Sequence, residues 1–158
     1  MKRYIYTLLF VFTFACTTTK VVHNTKKNDI SGTWTLMEIN NSNVENSEQS
    51  KLFEFSVEDC LIGSTWSFNS DGKSGGLKVS GENCDESSKK IHWLLYEPGD
   101  GSVNLQFKYV PFMDETATSG KGFQTIVVSV DENRMVMDAS NKEETGTTSR
   151  LVFTKNTP

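Results

Sequence analysis

The sequence predicts an all-β fold, a single eight-stranded antiparallel up-and-down barrel, with a two-sheet β-sandwich as the alternative. Three observations support it. Val103, Leu105, Phe107 and Tyr109 alternate with Asn104, Gln106 and Lys108, the period of two that gives a strand one buried and one wet face. Similar runs recur at 32–39, 64–69, 75–80, 89–97, 122–130, 134–140 and 149–155, which with 103–110 makes eight. Short connections rich in Asp, Asn and Gly separate most of them, the residues that tolerate the positive φ of hairpin turns. No long helical pattern intervenes, which excludes parallel βαβ units. Consecutive antiparallel strands remove their exposed edges by closing on themselves.

The chain opens with a segment that does not belong to the fold. Lys2 and Arg3 precede the apolar run 4–15, "YIYTLLFVFTFA". A bilayer span takes about 20 apolar residues, so this shorter run suits the hydrophobic region of a secretory signal, residues 1–15. Its end, "TFAC", resembles a bacterial lipobox, with Thr13 where Leu is usual. The resemblance implies cleavage before Cys16 and lipid attachment there; an ordinary signal peptide ending near a cysteine is the alternative. Residues 16–29, "CTTTKVVHNTKKND", read as a polar tether with His23 solvated in it, and 30–158 as the folded body. Thr17, Thr18 and Thr19 lack the acidic run that resembles a surface-export signal. The expected location is therefore the cell envelope, lipid-anchored to the outer membrane and facing the periplasm.

Charge narrows the partners. The full chain has 16 basic and 20 acidic side chains; without Lys2 and Arg3 the remaining 14 against 20 give a net charge of −6 with His neutral. An acidic body without a basic cluster argues against nucleic acid. The expected membrane link is the acylated N-terminus.

The first strand, "SGTWTLMEI", leads into the longest connection, 40–63. Phe53, Phe55 and Val57 alternate there with Glu54, Ser56 and Glu58, as a short strand or an apolar lid face. The next turn, "NSDGKSGG", ends like a phosphate-binding loop. However, Ser67 occupies the place of its first glycine, and "GGLKVSG" makes a strand rather than the helix such a loop must feed. The motif reads as a hairpin turn. With Cys16 acylated, Cys60 and Cys84 remain as an even pair in an oxidising compartment, where a disulfide is expected. A metal site using Cys60, Cys84 and His92 is the alternative, unsupported by any paired ligand spacing. No catalytic constellation is legible. His92 lies between Ile91 and Trp93 on a strand, and the carboxylates Glu58, Asp59, Glu82, Asp85 and Glu86 read as solvated loop charges. No cofactor, metal site or catalytic residue is expected.

The Gly32-Thr33-Trp34 motif resembles the Gly-x-Trp that opens lipocalins. The stretches "CLIGSTWSFNSDGKSG" and "NCDESSKKIHWLL" are similar to those of compact lipocalin-like lipoproteins of Gram-negative envelopes. The resemblance implies that Trp34 plugs the closed end of a calyx and that Arg150, in "SRLVF", packs across its indole. A core Trp with an unrelated surface Arg is the bland alternative. It also implies that the long first connection folds over an open mouth. The candidate lining residues are Trp66, Phe68, Trp93, Leu95, Leu105, Phe107, Tyr109, Met135 and Met137. They would surround a small hydrophobic or amphipathic ligand, or else fill the barrel as solid core. The expected function is accordingly a membrane-anchored binding protein. The alternative is an envelope-anchored interaction protein, such as a hydrolase inhibitor, that uses a filled barrel as scaffold.

Overall fold

The computed structural model describes residues 25–41, 51–56, 60–81, 84–110, 122–140 and 148–157. Residues 1–24, Cys16 and His23 among them, and Val57, Glu58, Asp59 and Glu82 lie outside the described residues. A helical turn, α1 (Lys27–Ile30), leads into β1 (Gly32–Asn41). The small hairpin β2 (Lys51–Leu52) and β3 (Phe55–Ser56) follows. Next come β4 (Thr65–Phe68), β5 (Ser74–Gly81), β6 (Cys84–Tyr96) and β7 (Asn104–Val110). The last strands are β8 (Gly122–Val130), β9 (Arg134–Ser140) and β10 (Thr148–Lys155). All strands but β2 and β3 form one closed antiparallel barrel in the order β1-β10-β9-β8-β7-β6-β5-β4, so the first and last strands are neighbours. The barrel prediction holds, and the sandwich is excluded.

Up-and-down order sorts the connections into two groups. The β4–β5, β6–β7 and β8–β9 turns gather at one end, where β1 begins and β10 finishes. The other connections, including the one that carries β2 and β3, join strands at the opposite end. The first end is sealed by Trp34, which is fully buried and donates its indole N–H to the Ile30 carbonyl at 2.7 Å.

This contact corrects the tether boundary. Residues 25–29 belong to the folded body rather than to a polar leash: Thr25 and Ile30 are buried, and α1 closes the barrel floor. Asp29 accepts the Lys26 N–H at 2.7 Å, and the Ser31 hydroxyl donates to the Lys27 carbonyl at 2.8 Å. The polar composition of "KKND" concealed a cap whose apolar part is a single residue, Ile30.

The Gly-Lys-Ser stretch is a hairpin turn. Gly72 adopts φ +66° beneath the Lys27 stem, a conformation glycine takes without steric cost. The Asp71 carboxylate accepts the N–H groups of Lys73 and Ser74 at 2.8 and 2.9 Å. Hydrogen bonds from the Ser74 hydroxyl and backbone and from the Lys73 backbone hold Asp71 down to about 2. The amides a phosphate would need are thus already held by an anion. In β5, Gly75 has to be glycine because a Cβ would run into the Ser67 carbonyl and press on Ile91.

Candidate functional site

The strands direct their alternate side chains into one aromatic core. All nine predicted lining residues lie on the interior side. Trp66, Phe68, Trp93, Leu105, Phe107, Met135 and Met137 are buried, and Leu95 and Tyr109 pack against them partly buried. The buried indoles are satisfied: Trp66 donates to the Ser64 hydroxyl at 2.9 Å and Trp93 to the Ser74 carbonyl at 2.8 Å. A tryptophan interior therefore carries no unmet polar cost.

At the mouth end the β2–β3 hairpin supplies the residue that organises the site. Its turn is Phe53-Glu54, at φ +54° and +73°, the only non-glycine residues at positive φ among those described. That pair is the signature of a tight hairpin turn normally built from Asn and Gly. Phe53 is only 6% exposed. Its ring meets Phe107, Phe123 and Trp66 edge-on, with centroids 5.0, 5.5 and 5.7 Å away. The Tyr109 hydroxyl donates to the Phe53 carbonyl at 2.7 Å, and Phe55 packs edge-on against the Tyr109 ring. The chain has placed its own phenyl group inside an aromatic chamber at the mouth.

Sequence reasoning set Phe53 in a lid but not in the chamber, and it missed Phe123. Phe123 alternates correctly with Gln124 in "GFQTIVVSV" and could have been found by the same period of two. Phe53 could not, because nothing in a Phe-Glu pair announces a left-handed turn.

Burial pushes the Tyr109 phenol well above its ordinary value of 10.0, and the neighbouring Glu54 carboxylate adds to the shift. The phenol is thus a fixed donor at neutral pH. Because the folded value lies above the unfolded one, its contribution is complete below about pH 10 and is lost as pH rises further. Thermal melts between about pH 9 and about pH 12 should therefore show a steeper alkaline loss for the natural chain than for Tyr109→Phe.

The predicted cation over Trp34 is corrected. Arg150 is exposed and forms a two-pronged pair with Asp138, at 2.8 and 2.9 Å, on the outer wall. The ammonium of Lys155 lies over the Trp34 indole instead, 4.9 Å from the ring centroid. Strand parity is the reason. Trp34 pairs directly with Lys155 across β1 and β10, whereas Arg150 pairs with Asn40 and Asp138 and faces solvent. Gly32 fits this arrangement, since at φ +130° a Cβ there would strike the Lys155 stem.

Cys60 and Cys84 form a disulfide with Cα atoms 5.5 Å apart, so the expected pairing holds and the metal alternative using both thiols does not. His92 is exposed on the outer face of β6. Among the described residues no group of three His, Cys, Asp or Glu side chains is placed to hold a metal ion.

A groove of about 350 Å³ lies across β6, β7 and β8 and also touches the inward residues Trp93, Phe107 and Phe123. The outward residues His92 and Leu94 of β6, Gln106 and Lys108 of β7, and Gly122 and Gln124 of β8 line it. Near it, Leu94, Tyr96, Ile126 and Val128 expose between 43% and 50% of their surface.

A closed antiparallel barrel with its first and last strands paired, a buried Trp from a Gly-x-Trp at the sealed end and a small hairpin packed into the aromatic interior defines a calycin-type protein. The family model of the lipocalin-like domain matches residues 30–157, and the chain belongs to that family. Among solved structures it is similar to bovine odorant binding protein in complex with a selenium-containing odorant. That likeness is at 17% identity and a TM-score of 0.45, covering 85% of this chain and 74% of that one. Comparison with curated proteins returns no match.

Proposed function

We propose that this chain is a lipid-anchored envelope protein that binds a small apolar or amphipathic molecule at the mouth of its barrel. The observation that carries the reading is Phe53, a phenyl group surrounded by Trp66, Phe107 and Phe123 yet delivered by a separate two-stranded hairpin. Wall side chains cannot leave a barrel without breaking its ladder. A ring held by a hairpin can, and it would vacate a ligand-sized apolar site whose walls stay in place. Apolar sites with one or two oriented polar groups are typical of small-molecule binding, and Tyr109 supplies such a group.

Native mass spectrometry after gentle extraction from membranes tests the reading. It expects a co-purifying small-molecule mass that is lost on denaturation. A clean unliganded mass, together with failure to bind any apolar probe, would sink it. The anchor rests on the lipobox-like "TFAC" and the apolar run before it. Cys16→Ala should move the protein to the soluble periplasmic fraction or leave the leader uncleaved; a cleaved variant still in the outer membrane would refute the anchor.

A second reading, an interaction protein with a filled barrel, draws on the groove across β6, β7 and β8 and the exposed Leu94, Tyr96, Ile126 and Val128 beside it. A stoichiometric protein partner whose binding is abolished by Leu94→Glu, with no small molecule retained, would favour it.

A further inference from the structure

We infer that the mouth chamber selects a neutral molecule with an aromatic ring and a carbonyl group separated from the ring by two carbons, and that Tyr109 is the residue that reads the carbonyl oxygen. The inference rests on the binding function proposed above and specifies its ligand class.

Phe53 serves as the template. Its ring is gripped edge-on by Trp66, Phe107 and Phe123, a geometry set by the ring quadrupole and available to any ligand phenyl group. Its carbonyl oxygen, on the carbon attached to Cα and so separated from the ring by Cβ and Cα, accepts the Tyr109 hydroxyl at 2.7 Å. When the hairpin leaves, both are lost together. The chamber then has an empty aromatic slot and a phenol without its acceptor. A saturated chain fills the slot poorly, and a plain hydrocarbon ring leaves the phenol unmet, which is costly in a desolvated site. A carboxylate supplies an oxygen, but among the described residues the ring contacts of Phe53 and Tyr109 are with the aromatic side chains Phe55, Trp66, Phe107 and Phe123, and their hydrogen bond is with each other. None of them provides the counter-charge a buried anion needs. Glu54, raising the Tyr109 phenol from beside it, disfavours an anion further.

The test compares three probes of one skeleton by calorimetry: 4-phenyl-2-butanone, butylbenzene and 3-phenylpropanoate. They are titrated into the mature chain and into a variant with residues 51–56 replaced by six Gly and Ser residues. In the variant the ketone should bind about tenfold tighter than butylbenzene and tighter than the anion, and Tyr109→Phe in the same background should erase the preference over butylbenzene. The unaltered chain should show the same order at lower affinity, because the ligand must displace the hairpin. It serves as the test if the variant fails to fold. Equal binding of ketone and hydrocarbon, a preference that survives Tyr109→Phe, or tighter binding of the anion overturns the inference while leaving barrel binding intact. No binding of any probe to a folded protein overturns both.

Discussion

Trp34→Ala should destabilise the protein by about 3–5 kcal/mol, the range for removing a large side chain from a core. Trp34 is fully buried at the sealed end, so truncation opens a cavity, deletes the hydrogen bond to Ile30 and unseats α1. Lys155→Ala should cost less, about 0.5–2 kcal/mol, by removing the cation over the indole together with its apolar stem. The two changes should be non-additive, because contacting residues couple. Arg150→Ala is the control: its pair with Asp138 is exposed on the outer wall and screened by solvent, and its effect should be small and add independently to that of Trp34→Ala. Urea unfolding of the single and double variants gives both cycles. Coupling between Trp34 and Arg150 without coupling between Trp34 and Lys155 would contradict the geometry.

The second large effect is expected from the disulfide. Cys60 and Cys84 are 24 residues apart in sequence, and opening a loop of that length should cost about 3 kcal/mol in the chain-entropy account. The bond joins the end of the long first connection, where Cys60 and Leu61 are buried, to the start of β6. The double variant Cys60→Ala/Cys84→Ala should therefore unfold at lower urea. It should also expose Phe53 and its hairpin to proteolysis before the barrel strands. Alkylation of the native protein, followed by intact mass, should label neither thiol until a reductant is added. Labelling of both in oxidised protein would refute the bond.

Much of this was legible in the sequence because a half-buried strand writes its burial directly as alternation. Leu105, Phe107 and Tyr109 on one side and Gln106 and Lys108 on the other needed no tertiary information. The same rule held the answer at the sealed end. Leu151, Phe153 and Lys155 share a parity, and Arg150 falls on the other; resemblance favoured Arg150 where parity favours Lys155. Two features were illegible for different reasons. α1 contributes to the core through one apolar side chain and a backbone carbonyl, neither of which composition reveals. The Phe53-Glu54 turn runs against local propensity and is held by contacts distant in sequence.

The two ends of the folded chain lie together at the barrel floor. The Asn156 N–H donates to the Thr33 carbonyl at 2.8 Å, beside the strand that α1 introduces. An attachment at either terminus therefore joins the protein at its floor, at the opposite end from Phe53 and its hairpin. For an anchor at Cys16, the eight residues before Thr25 reach at most roughly 30 Å at about 3.3–3.6 Å each. The same geometry makes N-terminal immobilisation on a sensor surface the orientation that leaves Phe53 and its hairpin free to open.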